Sequence, residues 1–435
     1  MCSSDLDLPT AVSSVRDPLK DDRDRALATD IAVGTVRWRA TLDHLIAHGA
    51  KRALDRLDDE VVDILRMSVY QLLHLTRVPA SAVVDDAVNL TKKIGKKSAS
   101  GLVNAVLRAT SRSRAALPLP PRPDDVSNRG AVLDYLSITL SHPRWLVERW
   151  LDRVGFERTE AWLQFNNTPA PLTLRVVSSR TTREALLAQL AEVGIEAHAA
   201  TSAPGGIVVD RGNLREEATR GEFVVQDEAS QVVALLAGAS PGPLVLDTCA
   251  SPGGKATAIA ASLHEGARLV ACDLRDRRIA LLQRTVSNTG ATNIRLVQAD
   301  AARPLPFRPE FSTVFVDAPC SGLGTLRRDP DIRWRRTAAD LPALAATQST
   351  MLAHAAAVVR PGGRLVYATC SSEPEENELV VADFLARHSA FSPVSPTAVH
   401  GAIDSNLIVS DEHLRTEPDR HGLELFFGAV FGRSL

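Results

Sequence analysis

The chain has 435 residues, 45% hydrophobic and only 4% aromatic, with a formal net charge of −2. That length is more than one domain, and a charge near neutral rules out polyanion binding through a global field, so any nucleic-acid surface must be a local patch. The five cysteines, at 2, 249, 272, 320 and 370, form no Cys-x-x-Cys pair and are odd in number, which argues against a zinc site and a disulfide framework.

No apolar run approaches the roughly 20 residues of a membrane helix, and no charged-then-apolar leader opens the chain. The expectation is a cytoplasmic protein with no membrane contact and no metal. From about Asp21 to Arg114 the pattern is helical. Leu27, Ile31 and Val36, then Val61, Ile64, Leu65, Val69 and Leu72, recur at helical spacing. Val78-Pro79 interrupts the run, and Val83 to Leu90 resumes it. Lys92 to Arg114 holds seven basic residues and no acid. Such a run is usually a solvated face, but the missing acids lean it toward phosphate contact. Leu117 to Pro123 reads Leu-Pro-Leu-Pro-Pro-Arg-Pro, a stiff linker.

A second region, from about Ser141 to Gly238, mixes a helix around His142 to Gly155, a strand Leu172 to Val177, a helix Arg183 to Val193 and a strand Gly206 to Val209. That order predicts a small α/β subdomain. From about Pro243, short apolar strands alternate with helical stretches. The strands are Leu244 to Leu246, Leu269 to Ala271, Ile294 to Val297, Val314 to Val316 and Leu365 to Tyr367. Alternation predicts a parallel sheet covered on both faces, with ligands at the carboxyl ends of its strands.

Four motifs sit at those ends. Cys249-Ala250-Ser251-Pro252-Gly253-Gly254-Lys255 follows the first strand, and its glycines let backbone amides approach a ligand. It is not a phosphate-binding P-loop, because Cys249 stands at the first glycine and Ala256 at the Ser/Thr. Asp273, Asp300 and Asp317 close the next three strands. One such acid is commonly a helix cap or a loop acid. Three at one edge point to a ligand: an acid after the second strand can bond a ribose diol, and one after the third can read an adenine amino group. Cys320 and Cys370 follow the fourth and fifth strands. A lone cysteine is usually a small buried hydrophobe, and a working thiol needs activation by charge or a helix end. Leu326 to Arg336 surrounds Trp334 with five arginines. That composition suits single-stranded RNA; the bland alternative is a solvated loop.

Pro-Gly-Gly-Lys at 252–255, Asp-Ala-Pro-Cys at 317–320 and Thr-Cys-Ser at 369–371 resemble, in this order, the RNA cytosine-5 methyltransferases that use S-adenosylmethionine. Gly34 to Arg39, Pro79 to Lys92 and Gly101 to Arg108 resemble the NusB RNA-binding fold. Asn166 to Pro169 and Val225 to Ser230 are similar to the family's middle subdomain. The combination is that of the bacterial 16S ribosomal RNA methyltransferase B family (Sun/Fmu type).

The resemblance implies an α/β fold: a Rossmann-like methyltransferase domain over 239–435 and a small α/β RNA-binding subdomain over 138–238. A Pro-rich linker at 117–137 precedes them, and an all-α NusB-like domain covers 1–116. It implies methylation of C5 of a cytosine in 16S rRNA, the family's usual target being cytosine 967, by a monomer acting on free RNA or an early small-subunit particle. Cys249 to Lys255 would cradle the methionine end of the cofactor, Asp273 its ribose and Asp300 its adenine side. Asp317, protonated, would stand between cofactor and base as a donor. Cys370 would be the nucleophile, Cys320 the group that releases product, and Lys255 part of the catalytic set. Methylation of tRNA and non-catalytic rRNA assembly are the alternatives.

The sequence departs from the family at Ser251 (usually alanine), Leu425 (usually glycine) and Val177 (usually asparagine). A helix should precede the Asp21 region, and the expectation is that it is missing. Met1-Cys2-Ser3-Ser4-Asp5-Leu6 matches what a common sequencing adapter encodes when translation starts at GTG, so these residues are expected to be an artefact on a truncated gene.

Overall fold

The computed structural model describes residues 8–212, 214, 221–238, 242–409 and 412–435. Met1 to Leu6, expected to be an artefact, lie outside the described residues. The chain divides into two compact units. One comprises residues 1–169 with 326–338, the other 170–325 with 339–435.

The first unit is helical. Its helices span Asp22–Arg37, Arg39–Ala50, Asp59–His74, Ala80–Lys93 and Ser100–Arg112. Asp21 caps the first of these by accepting from the Arg23 amide, as an N-cap acid should. Pro79, read as a break, immediately precedes Ala80–Lys93. The periodic apolar residues form one core around Leu42, Ile46, Leu65, Val69, Val106 and Leu107. A further helix, Leu8–Arg16, lies in the stretch where none was expected, and it buries no residue. The 24-residue element Arg144–Asn167 is broken at Gly155, whose φ of +79° ends one helix and allows a second to start. The sequence reading stopped the helix there and missed its continuation.

The arginine-rich stretch 326–338 belongs to this unit, and one of its five arginines does not fit the expected RNA surface. Arg333 is completely buried. Its Nη1 donates to the Ser141 carbonyl at 3.0 Å and to Asn167 Oδ1 at 3.0 Å, and its Nη2 to the carbonyls of Leu326 at 3.2 Å and Asn166 at 3.3 Å. Trp334 Nε1 donates to the Val36 carbonyl at 2.8 Å. A guanidinium can be buried when its fixed fork of donors finds carbonyls, and composition does not reveal that. In the basic run, Lys96 is paired with Asp58 and Glu60, while Lys92, Lys93, Lys97, Arg108, Arg112 and Arg114 are exposed.

The second unit carries two sheets. The strands are β1 (Leu172–Val176), β2 (Glu196–Ala199), β3 (Gly206–Arg211), β4 (Phe223–Val225), β5 (Leu244–Asp247), β6 (Arg268–Asp273), β7 (Ile294–Gln298), β8 (Phe311–Asp317), β9 (Val359–Thr369), β10 (Phe391–Pro393), β11 (Ile408–Val409), β12 (His413–Arg415) and β13 (Phe427–Arg433). The small sheet, antiparallel in the order β2-β3-β1-β4, packs Leu174, Val176, Ile207 and Val209 against Leu186 and Leu190 of helix Arg183–Glu192.

The large sheet runs β11-β12-β13-β9-β8-β5-β6-β7, with β10 against β13. β9, β8, β5, β6 and β7 are parallel. β8 is buried along nearly its whole length, as expected of a central parallel strand covered on both faces. Two cores flank the sheet. The chain moves outward from β5 through β6 to β7, then returns to place β8 on the other side of β5. The switch point therefore lies between β5 and β8, where such sheets bind ligands.

Candidate active site

Asp247 and Asp317 end β5 and β8, the two strands at the switch. Asp247 is completely buried. Its Oδ1 accepts from the Cys249 amide at 3.2 Å, while its Oδ2 has no partner. Burial, with Asp317 nearby, pushes its pKa up to about 8. Sequence reading did not single this acid out. It stands directly before the Gly-rich motif, and that was the available signal.

Lys255 Nζ lies 2.7 Å from Asp317 Oδ2 and 5.3 Å from the Phe426 ring centroid. Burial pulls the Lys255 ammonium down, but Asp317, Cys370 and Asp247 together outweigh it and leave its pKa raised. In this arrangement Asp317 Oδ2 accepts from the Lys255 ammonium.

The turn 249–254 is fixed at several points. The Ala250 amide donates to the Cys272 carbonyl at 2.8 Å. The Ser251 amide donates to Asp273 Oδ2 at 3.2 Å, and Leu274 donates to Asp273 Oδ1 at 2.8 Å. Pro252 follows a cis peptide bond. Gly253 has φ +109°, and a Cβ there would stand 2.9 Å from Leu282 and 3.0 Å from Thr285, so only glycine fits without strain. Gly254 begins helix Gly254–Ser262. Asp300 follows β7. Its Oδ1 accepts from the Ala302 amide at 2.9 Å, and Arg303 stands 3.5 Å from its Oδ2. Burial, then Asp247, pushes the Cys249 thiol up; a thiol so held is a poor nucleophile.

Cys320 and Cys370 converge. Cys320 Sγ and Cys370 Sγ are 3.4 Å apart. The hydrogen bond with Cys370, then burial, pushes Cys320 well up. Beneath them lies a polar cluster that sequence reading missed. Glu376, fully buried, accepts from the Ser321 amide at 2.8 Å, from Gln348 Nε2 at 2.9 Å and from Ser371 Oγ. Gln348 Nε2 also donates to the Pro319 carbonyl at 3.0 Å, and Asn377 Nδ2 to the Ser371 carbonyl at 2.9 Å. One carboxylate therefore joins the two cysteine loops. The only sequence signal was an acid-rich stretch, Glu373 to Glu378, just past Cys370.

The departures are accommodated. Leu425 is buried without a positive φ, and its amide donates to the Gly324 carbonyl at 3.0 Å. Val177 is buried and apolar. Ser251 Oγ is buried without a partner. A cavity of about 510 Å³ is lined by Arg175, Thr257, His264 and Asn293. It borders the loops that enter β6 and β7, away from the strand ends, so geometry rather than cavity size locates the site.

The residues present fit S-adenosylmethionine. Asp273 is a buried acceptor after the second strand, a glycine turn precedes a helix, and Ser251 Oγ and Asp247 Oδ2 are orphaned polar atoms beside it. Cys249 to Gly254, Asp273 and Asp300 are the groups that would hold it. Among the described residues no cluster of three His, Cys, Asp or Glu could hold a metal, and no helix is long and apolar enough to cross a membrane.

Fold and site define a Rossmann-like S-adenosylmethionine-dependent methyltransferase. Known structures share the fold: PH0851 at a TM-score of 0.79 and 24% identity, covering 97% of this chain and 93% of that one, and NSun6 from Pyrococcus horikoshii with SFG at 0.58 and 20%, covering 67% and 98%. The family model for the 16S rRNA methyltransferase RsmB/F matches residues 234–432, that of the NusB family 8–112, and that of the RsmF/B-like ferredoxin-like domain 142–214. Ribosomal RNA small subunit methyltransferase B of Pseudomonas putida is 37% identical over 84% of this chain and 82% of its own length. The protein of the same name from Klebsiella pneumoniae subsp. pneumoniae is 31% identical over 89% of each. This chain belongs to the 16S rRNA methyltransferase RsmB/F family.

Proposed function

We propose that this protein methylates C5 of a cytosine in 16S rRNA through a covalent bond between Cys370 and C6. The observation that carries the reading is the pair of thiols 3.4 Å apart at the ends of adjacent strands, beside the Lys255–Asp317 ion pair. A reaction needing one nucleophile and one proton acceptor on the same ring has use for two such thiols.

C5 of cytosine is a poor nucleophile. Addition of the Cys370 thiolate to C6 moves the ring's electron pair toward C5. Asp317 accepts a hydrogen bond from the base's amino group, and Lys255 sets positive charge where negative charge develops. When bound, S-adenosylmethionine supplies a methyl group on a sulfonium. Cys320 then takes the C5 proton as general base, the ring double bond re-forms, and the Cys370 thiolate leaves. The Cys320 thiol must first give its own proton to solvent, and its raised pKa then makes the thiolate a strong base for the C5 proton. The target cytosine must be unstacked to reach these groups. The helical region 1–116 and the subdomain 138–238, joined by the linker 117–137, would hold the rRNA, and the exposed lysines and arginines of 92–114 suit its phosphates. Free RNA or an early particle as substrate, and a monomeric enzyme, complete the proposal.

The test is methylation of rRNA from a methyltransferase-deficient strain, with bisulfite mapping of the product. Cys370→Ala should abolish transfer and still bind cofactor, and Cys320→Ala should accumulate a protein–RNA adduct stable on a denaturing gel. An adduct from Cys370→Ala and none from Cys320→Ala would reverse the two roles. Cofactor binding with no RNA methylated would favour a non-catalytic assembly factor.

A further inference from the structure

Arg175 lies on β1 of the small sheet, between Leu174 and Val176, whose side chains enter that sheet's own core. Alternation along a strand sends Arg175 to the other face. There it is buried, and among the described residues it meets no carboxylate. Its Nε donates to Gln226 Oε1 at 2.8 Å, and its Nη2 to Thr257 Oγ1 at 2.7 Å and to the Gly254 carbonyl at 3.3 Å. Thr257 Oγ1 in turn lies 2.7 Å from the Gly253 carbonyl, and the Gln226 side chain closes the space beside Gly254, where a Cβ would stand 3.3 Å from it.

Burying a guanidinium on neutral acceptors carries a desolvation cost with no counter-charge to offset it, and burial lowers its pKa to about 10. An apolar residue would fill the same space without that cost. What an apolar residue cannot do is hold several acceptors at once with a rigid fork of donors. The acceptors held are the Gly254 carbonyl and the Thr257 hydroxyl, together with the Gln226 side chain that packs beside Gly254.

We infer that Arg175 is a positioning residue for the cofactor: through Thr257 and Gln226 the small subdomain's sheet fixes the Gly253–Gly254 turn in its binding geometry. The small subdomain is thereby part of the cofactor site as well as a candidate RNA surface. This rests on the cofactor assignment of the turn.

The test is calorimetric titration of full-length protein with S-adenosylmethionine, together with steady-state kinetics on rRNA. Arg175→Gln should raise the cofactor Kd and KM about tenfold, the loss of one or two hydrogen bonds from a charged donor. Its kcat at saturating cofactor should stay within about threefold and the KM for RNA within about twofold. Arg175→Lys, keeping one donor, should recover part of the loss. A folded Arg175→Gln with unchanged cofactor KM, or with kcat alone reduced, would overturn the inference. If Arg175→Gln does not fold, Thr257→Val removes only the bridging hydroxyl and must show the same split, and unchanged cofactor binding there overturns it too. Wild-type protein that binds no S-adenosylmethionine overturns both this inference and the proposed function. Wild-type protein that binds it but methylates no RNA overturns the function alone.

Discussion

Cys320 Sγ lies 3.4 Å from Cys370 Sγ because β8 and β9 are parallel neighbours in register, with Asp317 opposite Ala368. Cys320 is three residues past the first of these and Cys370 two past the second. The contact with Cys370, then burial, holds Cys320 well up in pKa. Alkylating agents react with thiolate. At pH 7.5 iodoacetamide is therefore expected to modify Cys320 slowly, and faster once Cys370→Ala removes the contact, read by peptide mass spectrometry after brief labelling. An unchanged rate in the variant would contradict this.

Glu376 holds both cysteine loops. Glu376→Ala leaves the Ser321 amide, the Gln348 amide and the Ser371 hydroxyl without their acceptor at a buried site. Unsatisfied buried donors, and the loss of bonds to a charged acceptor, each cost about 1–3 kcal/mol. A destabilisation of about 3 kcal/mol is expected, seen as a lowered urea midpoint, with methyl transfer reduced even at temperatures where the variant is folded. A folded variant with wild-type kcat would show that the loops hold their places without it.

Gly324 sits where three backbone segments meet. Its amide donates to the Cys370 carbonyl at 2.9 Å, and a Cβ would stand 2.1 Å from the Leu425 carbonyl oxygen and 2.8 Å from that of Cys370. Backbone cannot step aside as a flexible side chain can. Gly324→Ala is expected to cost about 3 kcal/mol or more and to shift the Cys370 loop, measured as a lowered melting temperature and a reduced rate of transfer. Wild-type values for both would mean that the loop relaxes freely.

The site's position was legible because it depends on chain order: apolar runs ending in Asp273, Asp300 and Asp317 mark strand ends in any parallel sheet. The five strands read for the large sheet begin or end one to six residues beyond those bounds, since polar residues such as Ser312 and Arg364 do not register as strand although their neighbours' hydrogen bonds carry them. The partners of the site residues were not legible. Nothing local says that Lys255 reaches Asp317, 62 residues on, or that Glu376 rather than any nearby acid is buried. Short antiparallel strands such as β2, β4 and β10 to β12 lack a run long enough to show period. Arg333 failed for the opposite reason. Its charge was plain and its burial was not.

The structural role of Arg333 is itself testable. If 326–338 were an RNA surface, Arg333→Met would weaken RNA binding and flatten its salt dependence by about one phosphate contact. With Arg333 buried against the carbonyls of Ser141, Asn166 and Leu326, the substitution should instead destabilise the helical unit. Unpaired buried acceptors put the cost at about 2–4 kcal/mol. RNA affinity of the folded variant and its slope against log salt should be unchanged. A stable variant with a shallower salt slope would restore the RNA-contact reading.

Asp247 gives a pH signature. Its carboxyl, near 3.9 in an unfolded chain, is pushed up to about 8 in the fold by burial and then by Asp317. Below about pH 4 both states are protonated, and this residue contributes no pH dependence. Between about 4 and 8 the folded state keeps a proton that the unfolded state has released, so stability falls as pH rises. Above about 8 the loss is complete. Asparagine is neutral throughout. Its side-chain oxygen can still accept from the Cys249 amide, and its NH2 replaces the partnerless Oδ2. Asp247→Asn should therefore match wild type near pH 4 and exceed it increasingly through neutral pH, by at least about 2 kcal/mol at pH 9. The measurement is the difference in urea midpoint between variant and wild type across that range, which cancels the other titrating groups. A difference that stays flat, or that favours wild type at high pH, would mean that Asp247 folds as an ordinary carboxylate.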